Sequence, residues 1–168
     1  MKKAAVMLYP LFSLQEISCL TELFLFHGKE IVTYAAERAP VRSEDGFTVL
    51  PDRSFQDFCR EEIDCLVQFR GDDQLVIAAI SSAPMLLGKA GLLEGRRFCH
   101  GVFEEFLEEF PVVPREGVVR AKLVEDGNLV TAYGDAFREF AAATARRVGL
   151  DCPETVFDAV AGKPFSAQ

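Results

Sequence analysis

The stretch LVIAAISSAPMLLGKAGLLEGRR, residues 75–97, decides the fold. It opens with an unbroken apolar run, Leu75 to Ile80, which has the length and composition of a strand buried on both faces. Two serines follow, and Ala83 to Ala90 then reads as a helix closed by Gly91 to Gly95. A buried strand that turns sharply into a helix is the unit from which open α/β sheets are built, and the turn lies at the strand's carboxyl end, where such sheets hold ligands. Ser81 and Ser82 therefore admit two readings. A hydroxyl there caps an unpaired N–H of the first helical turn, or it stands exposed beside backbone N–H groups as a nucleophile or binding group.

Upstream, Lys3 to Leu8 reads as a short buried strand and Tyr9-Pro10-Leu11 as a turn. A helix from Leu14 to His27 follows, ended by Gly28, because Leu14, Ile17, Leu20, Leu23 and Phe24 recur at helical spacing. Ser13 with Glu16 three residues on has the pattern of a capping box. Ile31 to Ala35 is a second strand. A polar stretch with Pro40, Asp45 and Gly46 precedes Phe47 to Leu50, and Pro51 to Ser54 reads as a loop. Asp64 to Phe69 is another buried strand, yet only Arg70 to Gln74 separates it from Leu75. A parallel crossover ordinarily takes about a dozen residues. Either these two strands form a hairpin or a crossover is missing between Asp72 and Leu75.

Downstream, residues 96–99 are strand-like, and GVFEEFLEEFPVVP alternates apolar and acidic residues at helical spacing, the pattern of a solvated helix face. Val118 to Val124 and Leu129 to Tyr133 flank EDGN, a hairpin signal, since Asp-Gly supplies the positive φ that tight turns need. Asp135 to Val148 closes the pattern as a helix with Phe137, Phe140, Ala141, Ala145 and Val148 on one face, Asp135 as cap and Gly149 as stop. Strands alternating with helices, several of them continuously apolar, predict a three-layer α/β sandwich around a mostly parallel sheet.

A chain of 168 residues fits a single domain spanning 1–168. The apolar stretch behind Met-Lys-Lys is too short for a signal peptide, and no apolar run approaches the roughly 20 residues of a membrane span. A net charge of −8 repels phosphate backbones, which argues against nucleic-acid partners. Five cysteines with no close metal-type pair suggest reduced thiols in the cytoplasm. With only His27 and His100 as imidazoles, neither a metal nor another cofactor is expected.

Three segments carry a resemblance. AAVMLYPLFSLQEISCLTELF is similar to the first strand, turn and acid-bearing helix of the ThiJ/PfpI (DJ-1/PfpI) superfamily. IAAISSAPMLLGKAGLLEGRR resembles its nucleophile elbow, and DGNLVTAYGDAFREFA its closing strand, glycine loop and helix. The likeness covers most of residues 3–150 and implies a flavodoxin-like fold related to that of class I glutamine amidotransferases. It implies that the family's reactive cysteine falls on Ser81 and the acid that bonds to it on Glu16. The family's oxyanion-binding glycine turn matches Phe69-Arg70-Gly71, keeping Gly71, and its crossover helix is missing. His100 stands one position before Gly101, which occupies the place of the family's histidine. A homodimer acting on a small molecule is implied as well.

The candidate catalytic residues are Ser81, Glu16 and His100, with Ser82 and Gly71 as ligand contacts. A serine hydroxyl is far less acidic than a thiol and needs a base within hydrogen-bond reach, a part that falls to Glu16 or His100. Each has a plain structural alternative: capping for Ser81, Ser82 and Glu16, and a hydrogen-bonded structural role for His100. Cys99 reads as a small buried hydrophobe or as a displaced reactive thiol. His27 suits the helix dipole at the end of its helix. The expected function is that of a divergent or degenerate hydrolase, hydratase or lyase; the alternative is a non-catalytic small-molecule binding or stress-related protein on the same scaffold.

Overall fold

A computed structural model describes residues 2–67, 75–108, 111, 113–153 and 156–157. The apolar runs become strands β1 (Lys3–Met7), β2 (Ile31–Ala35), β6 (Ile63–Val67), β7 (Val76–Ile80) and β9 (Leu129–Ala132). The minor strands are β3 (Val41–Arg42), β4 (Thr48–Val49), β5 (Arg53–Ser54) and β8 (Leu123–Asp126). The helices are α1 (Leu14–Phe26), α2 (Pro84–Lys89), α3 (Glu104–Leu107) and α4 (Phe137–Arg147).

A seven-stranded sheet runs β5-β2-β1-β6-β7-β9-β8, parallel throughout except for β8 against β9. Alternate residues of each central strand serve opposite faces. Val76, Ala78 and Ile80 join Ala4, Val6 and Val67 in the core beneath α1 and α4. Ile77 and Ala79 pack with Met85, Leu87 and Phe98 on the other face, while Ala5, Met7 and Leu66 pack there with Tyr34 and Leu75. Burial on both faces is why these strands read as unbroken apolar runs.

Several expectations change. β6 and β7 are parallel neighbours, with Cys65 opposite Val76 and Val67 opposite Ala78, so the hairpin alternative is wrong. The return along a five-residue strand is roughly 17 Å, within the reach of the residues between Val67 and Val76 at up to about 3.3 Å each. A helix is not needed to make the link; residues 68–74, Gly71 among them, lie outside the described residues. On the sheet face that holds Tyr34, Phe58 stands between two 3-10 turns and meets that ring edge-on at 5.5 Å.

Residues 53–54, read as loop, form the edge strand β5 because Asp52 locks onto β2: its Oδ2 accepts from the Thr33 N–H at 2.9 Å and from the Thr33 hydroxyl at 2.7 Å. β3 and β4 make a separate antiparallel hairpin. The strand expected at 96–99 reduces to one bridge between Phe98 and Val118; of the acidic segment Glu104–Leu107 forms α3, and residues 109, 110 and 112 lie outside the described residues. Asp135 does not cap α4 but pairs with Lys122 at 2.7 Å, leaving a 3-10 turn, Gly134–Ala136, before the helix. No described helix is long and apolar enough to cross a membrane.

Candidate active site at the turn after β7

The strand order reverses between β1 and β6, the point where open α/β sheets form a crevice at the carboxyl ends of their strands. α1 follows β1, and the turn bearing Ser81 follows β7, so both elements deliver residues to that end. Ser81 has φ +59, in the left-handed region that costs a non-glycine residue about 1–2 kcal/mol. Backbone bonds hold it there: its N–H donates to Ala132 O at 2.9 Å, and its carbonyl accepts from the Gly101 N–H at 2.7 Å. The capping reading of the serines fails. α2 begins at Pro84 with Ala83 before it, and no side chain caps its start.

Glu16 is free of capping as well. Ser13 makes no side-chain bond at the start of α1. Instead Asp45, carried by the β3–β4 hairpin, accepts from the Leu14 N–H at 2.8 Å. Within the half-buried first turn, the Glu16 carboxylate accepts a hydrogen bond from the Ser81 hydroxyl. Burial raises the Glu16 pKa above the ordinary 4.5; the Ser81 bond opposes that, and the negative charges of Glu44 and Asp45 add to it. A carboxyl group shifted upward is a stronger base when ionised and is more readily a donor when protonated.

The sequence reading did not single out Gly134, whose place explains how the pair fits. A methyl group there would stand 2.7 Å from Glu16 Oε1 and 3.3 Å from Ser81 Oγ. Gly101 is similar: a methyl would meet Ser81 Cα at 3.0 Å and Oγ at 3.3 Å. Neither glycine has a positive φ, so close approach alone excludes a side chain, and a single sequence carries no signal for that. Gly134→Ala is expected to part Glu16 from Ser81 and to cost on the order of 10²-fold in kcat/KM in any reaction that uses the pair. Diffraction from the variant checks the displacement.

The shift on Glu16 carries a second prediction. A carboxyl group whose folded pKa is raised adds stability that is intact below its unfolded value and is lost as pH rises through the folded one. Glu16→Gln escapes that loss. The variant is expected to melt above the wild type near neutral pH, with the gap closing below the ordinary Glu value of 4.5; thermal melts across pH test it.

Ser82 is exposed and borders an apolar cavity of about 250 Å3 with Tyr9, Ala83, Met85, Leu86 and Val102. His100 is 5 % exposed and faces elsewhere, in the wall of a cavity of about 630 Å3 that Ser81 and Glu16 do not line. Its Nδ1 accepts from the Val102 N–H at 3.3 Å, which assigns the proton of the neutral ring to Nε2. Burial lowers its pKa, keeping it uncharged. The structure thus brings Ser81 and Glu16 together and sets His100 apart.

Cys99 is buried beside Thr131, its Sγ 3.3 Å from Thr131 O, and burial pushes its thiol up. Cys65 is pushed up to about 12, also by burial. These are the surroundings of inert thiols. Both ring nitrogens of His27 lie within hydrogen-bond distance of carbonyls, Nδ1 2.9 Å from Leu23 O and Nε2 3.0 Å from Asp151 O, and these carbonyls raise its pKa. Among the described residues no group of three or more His, Cys, Asp or Glu is placed to hold a metal.

No family model matches the chain. Isonitrile hydratase from Pseudomonas putida is 28% identical over 138 residues, covering 70% of this chain and 59% of that protein's length. Among solved structures, a DJ-1 superfamily protein from Agrobacterium tumefaciens matches with a TM-score of 0.81 and 25% identity, over 92% of this chain and 94% of its own. A DJ-1 superfamily protein from Salmonella typhimurium matches at 0.73 and 26%, over 92% and 94% of the two chains. A thiJ/pfpI family protein from Bacillus anthracis matches at 0.78 and 22%, over 89% and 84%. The chain has the fold of the DJ-1/ThiJ/PfpI superfamily.

Proposed function

We propose that the chain is a divergent member of that superfamily acting as a hydratase- or hydrolase-type enzyme on a small molecule with an electrophilic carbon, and that it works in the cytoplasm as a homodimer. The observation that carries this reading is the Ser81 hydroxyl bonded to the Glu16 carboxylate at a left-handed turn, with Gly134 leaving room for both. In the reaction, Ser81 Oγ forms a bond to the substrate carbon as its proton passes to Glu16. Glu16 then returns the proton either to the nitrogen of a nitrile, which has received an electron pair of the C–N triple bond, or to the carbon of an isonitrile, whose own lone pair accepts it, leaving an imidate on Ser81. Water next adds to the same carbon; one of its protons passes by way of Glu16 to the nitrogen, the other to the Ser81 oxygen as the C–O bond to Ser81 breaks, and an amide or formamide is released. In this step the carboxylate, which holds the hydroxyl, takes the proton, and His100 has no part. The apolar cavity beside Ser82 suits the substrate's substituent, and Gly71 is assigned to the developing anion. The match to isonitrile hydratase supports the reading of an addition of water, with isonitriles and nitriles as the first candidate substrates to try.

A second reading, non-catalytic binding on the same scaffold, draws on the hydroxyl itself, which is far less acidic than a thiol at such a turn. Incubation with small isonitriles, nitriles, amides, esters and glyoxals, followed by NMR of the products, separates the two. Catalysis predicts conversion of one class. Saturable binding of a panel member with no conversion of any would leave the binding reading.

A further inference from the structure

The cavity of about 630 Å3 that His100 lines is unaccounted for by the chemistry at Ser81. His100 is nine-tenths buried, and its Nε2 has no hydrogen-bond partner among the described residues. A buried donor left unpaired costs about 1–3 kcal/mol, so its persistence calls for a partner that the described residues do not supply. Two ion pairs border the same cavity: Arg120 with Glu104 at 2.6 Å and Lys122 with Asp135 at 2.7 Å. Both are largely exposed, the first at 84% and 77% and the second at 68% and 65%. Exposed pairs contribute only about 0–1 kcal/mol each, so exchanging a partner for a ligand group is cheap. Val102, Leu107 and Val118 supply an apolar wall between them.

We infer that this cavity is a binding site for a small zwitterion with an apolar substituent, an apolar amino acid in chemical class. Its carboxylate accepts from His100 Nε2–H and from Arg120 or Lys122, and its ammonium group replaces one of the cations on Glu104 or Asp135. The substituent rests against Val102, Leu107 and Val118. A tilt of the His100 ring, held at Nδ1 only by the 3.3 Å bond from Val102, brings the Nε2–H to the ligand. Charge decides the class. The wall carries two cations and two carboxylates, and the protein has a net charge of −8, so a neutral zwitterion enters where a simple anion is repelled. Because Ser81 and Glu16 do not line the cavity, this site stands whether or not the turn after β7 is catalytic.

The test is titration of the full chain with L-leucine, 4-methylpentanoate and isopentylamine, reading the His100 imidazole by 15N-correlated NMR. Leucine is expected to shift the His100 signals saturably, with Kd on the order of 1 mM or tighter, and the two half-molecules to bind at least about tenfold more weakly. The exposed variants Arg120→Ala and Lys122→Ala, made singly and together, keep the fold and are expected to weaken leucine binding about tenfold in the double variant. No shift at His100 up to about 50 mM leucine overturns the site. Equal binding of 4-methylpentanoate and leucine, or leucine binding unchanged in the double variant, overturns the zwitterion assignment.

Discussion

Replacing Ser81 with alanine is expected to lower turnover by about 10³-fold while changing stability by no more than about 1 kcal/mol. The large term follows from the hydroxyl's two parts in the proposed step: it forms the bond to substrate and it holds the Glu16 carboxylate that takes its proton. Loss of a nucleophile that works with a base removes their joint contribution rather than a share of it. The small term follows because one hydrogen bond at a half-buried carboxylate is lost, worth about 1 kcal/mol. The left-handed strain at φ +59 is common to serine and alanine, so it cancels. Steady-state kinetics on the converted substrate, paired with a thermal melt, reads both terms. Undiminished turnover in Ser81→Ala would remove Ser81 from the chemistry.

Lys29→Met should destabilise the fold by about 3 kcal/mol. Lys29 directly follows the Gly28 stop of α1, and only 1 % of its side chain is exposed. Its Nζ donates to Asp64 Oδ1 at 2.6 Å and to Lys2 O at 3.0 Å, joining the end of α1 and the start of β1 to β6. Removing one partner of a buried pair strands the other charge, at about 3–5 kcal/mol; Asp64 is 33% exposed, so water offsets part of this and the low end applies. For a chain of this size that corresponds to roughly 6–12 °C in Tm. Asp64→Asn, which still offers Lys29 an oxygen acceptor, is expected to cost less. Urea denaturation of both variants tests the order, and a loss below about 1 kcal/mol for Lys29→Met would show the pair to be structurally idle.

The parallel sheet was legible because burial on both faces writes itself into the chain as apolar runs, and Leu75 to Ile80 followed by two serines is the plainest of them. The short elements were not. β5 has two residues and owes its existence to Asp52 gripping Thr33, a contact between segments that no local pattern announces. Around α3 the apolar residues of the acidic segment divide their contacts, the exposed Phe103 and Phe106 meeting each other while Leu107 packs against the core, a split that periodicity does not show.

The site was half legible. Ser81 could be found from the strand-to-helix join, while Glu16 could be read as half of a capping box with Ser13, as a site residue, or as both. At the start of α1 the Leu14 N–H bonds instead to Asp45, 31 residues away, a contact beyond the reach of any local reading. Gly134 resembled an ordinary turn glycine; its need is the 2.7 Å approach of Glu16, which only the folded chain reveals. His100 was expected at the site because it stands one position before the place of the family's histidine, which Gly101 fills. Gly101 lies against Ser81, while His100 lines a cavity that Ser81 does not.

The bond between the Ser81 hydroxyl and the Glu16 carboxylate is tested most directly by 13C NMR titration of the Glu16 carboxyl carbon in the wild type and in Ser81→Ala. The account predicts a wild-type midpoint above the ordinary 4.5, set by burial, and a still higher midpoint in the variant, because the hydroxyl that favours the ionised form is gone. Identical midpoints in the two proteins, or a wild-type midpoint at the ordinary value, would contradict it.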